Sequence, residues 1–248
     1  MTRACPDWLN GFPKRFQDDV IEAIDAKDHS RIVAFGADNT LWKNSIGEFF
    51  LQVLTQSEDP EDMPVLPPQY WSRYEEIAKD DRIAACGHAV QCMAGLEYGD
   101  VAAWVDLVAS KWPHYSAKMA DLINGMRDEG GLQVHVVSAC NSWLLRRALF
   151  YMGVEVDGAY GIETEMDSIP GVGLVLSDRL VQPVTCNGGK VEVLDQHVGL
   201  PSFVIGNGLG DHELMDVARW RLVIGEKGCE DNEMMKLARE RGWNTWKR

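Results

Sequence analysis

Lys14 to Asp28 carries Phe16, Val20, Ile21 and Ile24 on one stripe at helical spacing, and the apolar run Ile32 to Phe35 follows and stops at Gly36. The stripe predicts an amphipathic helix packed on a sheet. A short β-rich run ended by Gly predicts a buried parallel strand, with Ala37-Asp38-Asn39-Thr40 as a polar loop at its C-terminal edge. In open α/β sheets that edge is where ligands bind.

Ile46 to Leu54 reads as a helix, and Ser57 to Gln69 as a loop, since it holds four of the ten prolines and proline interrupts helical bonding. Tyr70 to Leu96 and Val101 to Trp112 read as helices, with no strand signal between Ile46 and Pro113. Trp71, Tyr74 and Trp104 in this block read mainly as core. Tyr115 to Asp128 is a further amphipathic helix. Leu132 to Val137 is a second buried strand ending at Ser138, and Asn141 caps a helix to Tyr151. Ala159 to Thr185 alternates apolar pairs with turn residues, which predicts a β-hairpin excursion. Lys190 to His197, Ser202 to Ile205, His212 to Ala218, Arg221 to Ile224 and Asn232 to Arg241 then alternate helix and strand. The pattern predicts an α/β protein, a Rossmann-like parallel sheet core flanked by helices (1–45 and 115–248) with a small inserted all-helical block (46–114).

Composition narrows the function classes. Lys and Arg number 24 against 38 Asp and Glu, a formal charge of −14, and an acidic surface repels phosphate backbones, which argues against a nucleic-acid partner. No apolar run reaches membrane-spanning length, and the N-terminus MTRACPDWLNGF lacks a signal-peptide core, so a cytoplasmic protein with no membrane partner is expected. Cys5, Cys86, Cys92, Cys140, Cys186 and Cys229 show no CxxC pairing and no zinc-finger spacing, and they read as free thiols. There is no internal repeat and no GxGxxG.

The candidate chemistry sits at strand ends and helix starts. Asp38 lies just past the first strand, Ser138 at the end of the second, Lys190 at a helix start where the dipole disfavours a cation, and Asn207 and Asp211 past the third. Each has a plainer reading, as a turn residue, a capping hydroxyl or a solvated lysine. Together and in this order they resemble the four motifs of the haloacid dehalogenase superfamily: Asp-x-Asp-x-Thr then Leu-Trp at residues 36–42, Ser138, Lys190, and Gly-Asp-x-x-x-Asp at 206–211. The helical insert resembles the cap of phosphoserine-phosphatase-like members.

The resemblance implies a phosphatase-type hydrolase of a small phosphorylated metabolite, with departures at three positions, Gly36, Asn207 and Ser45. The family's nucleophilic Asp falls on Gly36, and the first carboxylate of its fourth motif falls on Asn207. Asp38 and Lys190 are then the expected catalytic residues, with Gly36, Ala37, Thr40, Ser138 and Ala139 around the substrate. Glu48, His88 and Gln91 are candidates from the insert by position; Ser45 stands where members carry an acid that meets a substrate ammonium. Asp38, Asn207 and Asp211 are the remaining Mg2+ candidates, a weak set because magnesium prefers carboxylate oxygens. With carboxylates missing, Lys190, Ser138 and the N–H groups of the following helix are expected to hold a small anionic metabolite, phosphate or carboxylate, without the metal. The competing expectations are Asp38 acid/base chemistry without phosphoryl transfer, and a non-catalytic binding protein.

Overall fold

The computed structural model describes residues 5–26, 29–56 and 66–248. Its strands are β1 (Ile32–Phe35), β2 (Gln133–Asn141), β3 (Gly158–Ile162), β4 (Thr164–Ile169), β5 (Gly173–Leu180), β6 (Phe203–Gly206), β7 (Trp220–Gly225) and β8 (Asn244–Lys247). Six of them form one parallel sheet in the order β3-β2-β1-β6-β7-β8, and β4 pairs antiparallel with β5 as a hairpin. The helices are α1 (Lys14–Asp25), α2 (Ile46–Gln56), α3 (Gln69–Asp80), α4 (Arg82–Gln91), α5 (Tyr98–Lys111), α6 (Ala117–Asn124), α7 (Ser142–Met152), α8 (Gly189–His197), α9 (His212–Val217) and α10 (Glu233–Glu240).

All four residues of β1 are buried, because alternate side chains serve two different cores. Val33 and Phe35 join Phe16 and Val20 of α1 on one face, while Ala34 meets the apolar side chains of α8, α9 and α10 on the other. The chain builds outward from β1 through β2 to one edge and later returns through β6 on its other side. The β1/β6 junction is therefore a topological switch point, where the loops diverge and leave a crevice at the strand C-termini. Gly36 N–H donates to Ile205 O at 2.8 Å there, so the strand pairing extends to the first residue of the polar loop.

Between β1 and β2 the described residues hold helices α2 to α5 and no strand. The two connections to this insert run side by side: Lys43 N–H donates to His114 O and Ser116 N–H to Leu41 O, both at 3.2 Å. Trp42 meets Tyr115 edge-on at 5.8 Å, which makes the junction apolar as well as hydrogen-bonded.

Several sequence expectations are corrected. The helix expected over Tyr70 to Leu96 is two helices, because Asp81 turns extended (φ −141°, ψ 97°) and its carboxylate caps Ala84 N–H. The strand expected to stop at Ser138 runs on to Asn141, and the β2/β3 register shifts beyond Val137. Edge strands β3 and β8 lie outside the expected strands; β3 (GAYGI) is built of small residues and β8 (NTWK) of polar ones, and neither carries an apolar run. Helix α1 ends at Asp25; residues 27–28 of its expected span, residues 57–65 of the proline-rich loop, and residues 1–4 of the N-terminal reading lie outside the described residues. No helix among the described residues is long and apolar enough to cross a membrane.

Candidate active site

A cleft of about 730 Å³ opens over the C-terminal ends of β1, β2 and β6, a volume suited to a small molecule. The loops after these strands form its floor, and α2, α3 and α4 of the insert form a wall through Glu48, Phe50, Tyr74, Arg82, Cys86 and Val90.

Asp38 is held by residues of the loop it opens. Oδ1 accepts from the Trp42 indole N–H at 2.8 Å and from Ile46 N–H at 3.2 Å, and Oδ2 accepts from the Ser45 hydroxyl at 2.8 Å. The tight turn needs left-handed backbone at Asn39 (φ 55°) and Asn44 (φ 64°), a conformation asparagine tolerates, and Asn39 Oδ1 closes it by accepting from Asn44 N–H at 2.9 Å. Burial pushes the Asp38 carboxyl above its ordinary range, and the three donors work against that push. A carboxyl balanced in this way can exchange a proton nearer neutral pH than a solvated one.

Lys190 and Asp211 form a buried ion pair, Nζ to Oδ1 at 2.6 Å, with 8% and 5% of their side chains exposed. Burial opposes the ammonium, but attraction and hydrogen bonding from Asp211 outweigh it and the Lys190 pKa lies above its ordinary value. Asp211 Oδ2 accepts from Asn207 N–H at 3.0 Å. A Cβ added at Gly36 would meet both Asp211 oxygens at 3.1 Å, so that carboxylate lies against the space a side chain at 36 would enter. The Lys190 expected to be available for an anion is thus paired with Asp211.

Ser138 is 3% exposed, lines the cleft beside Ala139, and its carbonyl accepts from the Thr185 hydroxyl at 2.6 Å, tying the second strand end to the loop before α8. The N–H groups expected to bind an anion after Ser138 are already used. Asn141 Oδ1 accepts from Trp143 and Leu144 N–H at 2.9 and 3.1 Å, because β2 continues to residue 141 before α7 begins.

The cleft also brings together Gly36, Ala37, Glu48, Asn207 and Asp211 from the expected set. Three candidates lie away from it. Thr40 is fully buried behind the loop, His88 Nε2 contacts Tyr70 O at 3.1 Å, and Gln91 Nε2 donates to Asp178 O at 2.8 Å. Glu48 accepts from both Tyr74 Oη–H and Arg82 Nη2–H at 2.6 Å, so Tyr74 has a polar role beside its packing one. Sequence reasoning missed Arg82, Cys86 and Cys186, which no local motif marks. It also missed Arg248, whose guanidinium donates to Thr40 O at 3.0 Å and Trp42 O at 2.8 Å and braces the Asp38 loop from behind. Ser45 and Trp42 could have been found as short-range donors to Asp38.

The donor set does not fit magnesium as arranged. Asp211 is committed to Lys190 and Asn207 N–H, both Asp38 oxygens are occupied by donors, and position 36 offers no carboxylate. Among the described residues no group of three or more His, Cys, Asp or Glu is placed to hold a metal ion.

Residues 33–216 match the family model described as haloacid dehalogenase-like hydrolase. No curated protein sequence matches the chain. Among solved structures, a protein with unknown function from Bordetella pertussis Tohama I is 17% identical with a TM-score of 0.68, over 88% of this chain and 98% of that one. A substrate-bound phosphoserine phosphatase is 14% identical (TM-score 0.57; 90% and 95% covered), and cytosolic 5′-nucleotidase IIIB bound to cytidine is 15% identical (TM-score 0.58; 92% and 80% covered). At these identities the likeness is one of fold.

Proposed function

Since the chain belongs to the haloacid dehalogenase-like hydrolase family, we propose that its cleft takes a small phosphorylated metabolite and that hydrolysis there is slow and proceeds without a covalent aspartyl intermediate. The observation that carries the reading is the Asp211 carboxylate lying against Gly36 and holding Lys190. Where the family's motif has a nucleophile there is no side chain, and the nearest carboxylate is locked in an ion pair.

Water is then the nucleophile. Its oxygen forms the new bond to phosphorus as the bond to the leaving oxygen breaks; Asp38 takes the water's proton and returns it to the leaving group. Lys190 reaches the phosphoryl oxygens when a ligand competes with Asp211 for it. Helices α2 to α5 serve as a cap that limits water around these groups. Losing the two-step covalent route forfeits much of the family's acceleration.

A second reading is favoured by the neutralised Lys190: Asp38 acid/base chemistry on a bound carboxylate, with no phosphoryl transfer. Hydrolysis of p-nitrophenyl phosphate separates the two. Slow turnover, well below the typical enzyme value of about 10 per second, that is abolished by Asp38→Asn supports the first reading. No hydrolysis at all, with phosphate still binding in calorimetry, supports the second. Phosphate binding that vanishes on adding chelator overturns the metal-free description of the site.

A further inference from the structure

We propose that Arg248 is a positioning residue for Asp38: its guanidinium holds the carbonyls on either side of Leu41 and so sets the Trp42 indole against the Asp38 carboxylate. The proposal rests on the reading of Asp38 as the group that moves the proton. It adds a residue from the edge of the sheet, with β6 and β7 lying between β8 and β1.

Arg248 follows β8, and its own backbone is tied to the end of β7. Its N–H donates to Gly225 O at 3.1 Å, and its carbonyl accepts from Lys227 N–H at 2.9 Å. From that anchor the side chain, 8% exposed, reaches the loop after β1, where Nη1 donates to Thr40 O at 3.0 Å and Nη2 to Trp42 O at 2.8 Å. A planar guanidinium presents its N–H donors in a fixed fork, so it holds two carbonyls at one spacing, which a single ammonium does not. Between them, Leu41 O accepts from Ser116 N–H at 3.2 Å, and three consecutive carbonyls are thereby fixed from two other segments. With its backbone held and its ring edge-on to Tyr115, Trp42 directs its indole N–H to Asp38 Oδ1 at 2.8 Å.

The guanidinium charge is not spent on a close ion pair. Glu226 Oε1 lies 3.9 Å from Nη2, on a side chain 36% exposed, and also faces Lys43 Nζ at 3.8 Å. Burial lowers the Arg248 pKa, yet a guanidinium stays charged at neutral pH. Burying a charge is costly, and hydrogen bonds from a charged donor are stronger than neutral ones, so the two carbonyls are held more firmly than a neutral donor would hold them. Of the three donors to Asp38, Ser45 and Ile46 lie beyond the Asn44 turn, and the Trp42 indole alone comes from the stretch that Arg248 holds. Arg248 itself does not line the cleft, so it acts through Trp42.

The test follows the full chain, with isotope-labelled tryptophan, by proton–nitrogen NMR. The Trp42 indole signal is identified by its loss in Trp42→Phe. In the native protein it should be protected from exchange with water and should shift in Asp38→Asn. Arg248→Ala should move it toward the position of a solvent-exposed indole and strip its protection. Guanidinium ion, well below denaturing concentration, should restore both where the same concentration of sodium chloride does not. Turnover of p-nitrophenyl phosphate should fall about 10–100-fold in Arg248→Ala, with KM changed by less than about twofold and the same rescue, since a small misplacement costs rate more than binding. Arg248→Lys keeps the charge and the stem; it should shift the indole signal part of the way and decides where the Ala variant folds poorly. An indole signal unchanged in either variant beside a lowered melting temperature makes Arg248 structural only and overturns the proposal. A signal indifferent to Asp38→Asn, or one that moves while turnover stays intact, overturns it too. The NMR readout needs no turnover: a native protein that hydrolyses nothing overturns the proposed reaction, and the indole signal still decides the role of Arg248.

Discussion

Gly36→Asp places a carboxylate against an existing one. The added Cβ alone would sit 3.1 Å from both Asp211 oxygens, tighter than ordinary contact, so Asp211 must yield by a few tenths of an ångström. Two like charges about 4 Å apart at an effective dielectric near 20 repel by about 4 kcal/mol. Lys190, 2.6 Å from Asp211 Oδ1, offsets part of this, and the expected net loss of stability at neutral pH is about 1–3 kcal/mol. For a chain of this length that is roughly 2–4 °C of melting temperature per kcal/mol. The two carboxylates would also supply magnesium with the ligands that the native site lacks. Magnesium at about 100 times its Kd should then return about 2.7 kcal/mol to the variant and nothing to the native protein. Thermal melts with magnesium and with chelator check this, and Gly36→Ala isolates the steric part. p-Nitrophenyl phosphate hydrolysis by the Asp variant should appear only with magnesium. A native protein that magnesium stabilises equally, or an Asp variant that it leaves unchanged, would refute the account of Asp211 and position 36.

Lys190→Met leaves Asp211 buried without its partner and should cost about 3–5 kcal/mol in urea unfolding, whereas Lys190→Met with Asp211→Leu should recover most of that loss. A double variant as unstable as the single one would show that the pair is not what fixes this corner. Asp38→Asn should slow any turnover by about 10²–10⁴-fold while leaving secondary structure by circular dichroism unchanged. His135, 2% exposed and with no hydrogen-bond partner on either ring nitrogen among the described residues, has its pKa lowered chiefly by burial. The folded state therefore resists protonation that the unfolded chain accepts, so stability is full above about pH 6.5 and falls as pH drops below it, by up to about 1.4 kcal/mol per unit of pH. His135→Phe should flatten that slope below about pH 6.5; an unchanged slope would assign it to other groups.

The chain's local patterns determined the parallel-sheet core and the helices that the described residues hold between β1 and β2, because strand and helix periods are written over a few residues at a time. They also determined that Asp38, Ser138, Lys190 and Asp211 meet at one sheet edge: each stands just past a strand or at a helix start, and parallel strands bring such ends together. Edge strands β3 and β8 escaped that reading because their half-exposed residues carry no apolar run. What only the tertiary structure decided is how those side chains are spent. Asp211 is drawn onto Lys190 and against Gly36, Asn141 consumes the helix N–H groups, and Arg82 turns to Glu48 across 34 positions while Arg248 returns across 208 to brace the Asp38 loop. These pairings join residues remote in sequence, and their strength comes from removing charge from water, a quantity set by burial that no local spacing records.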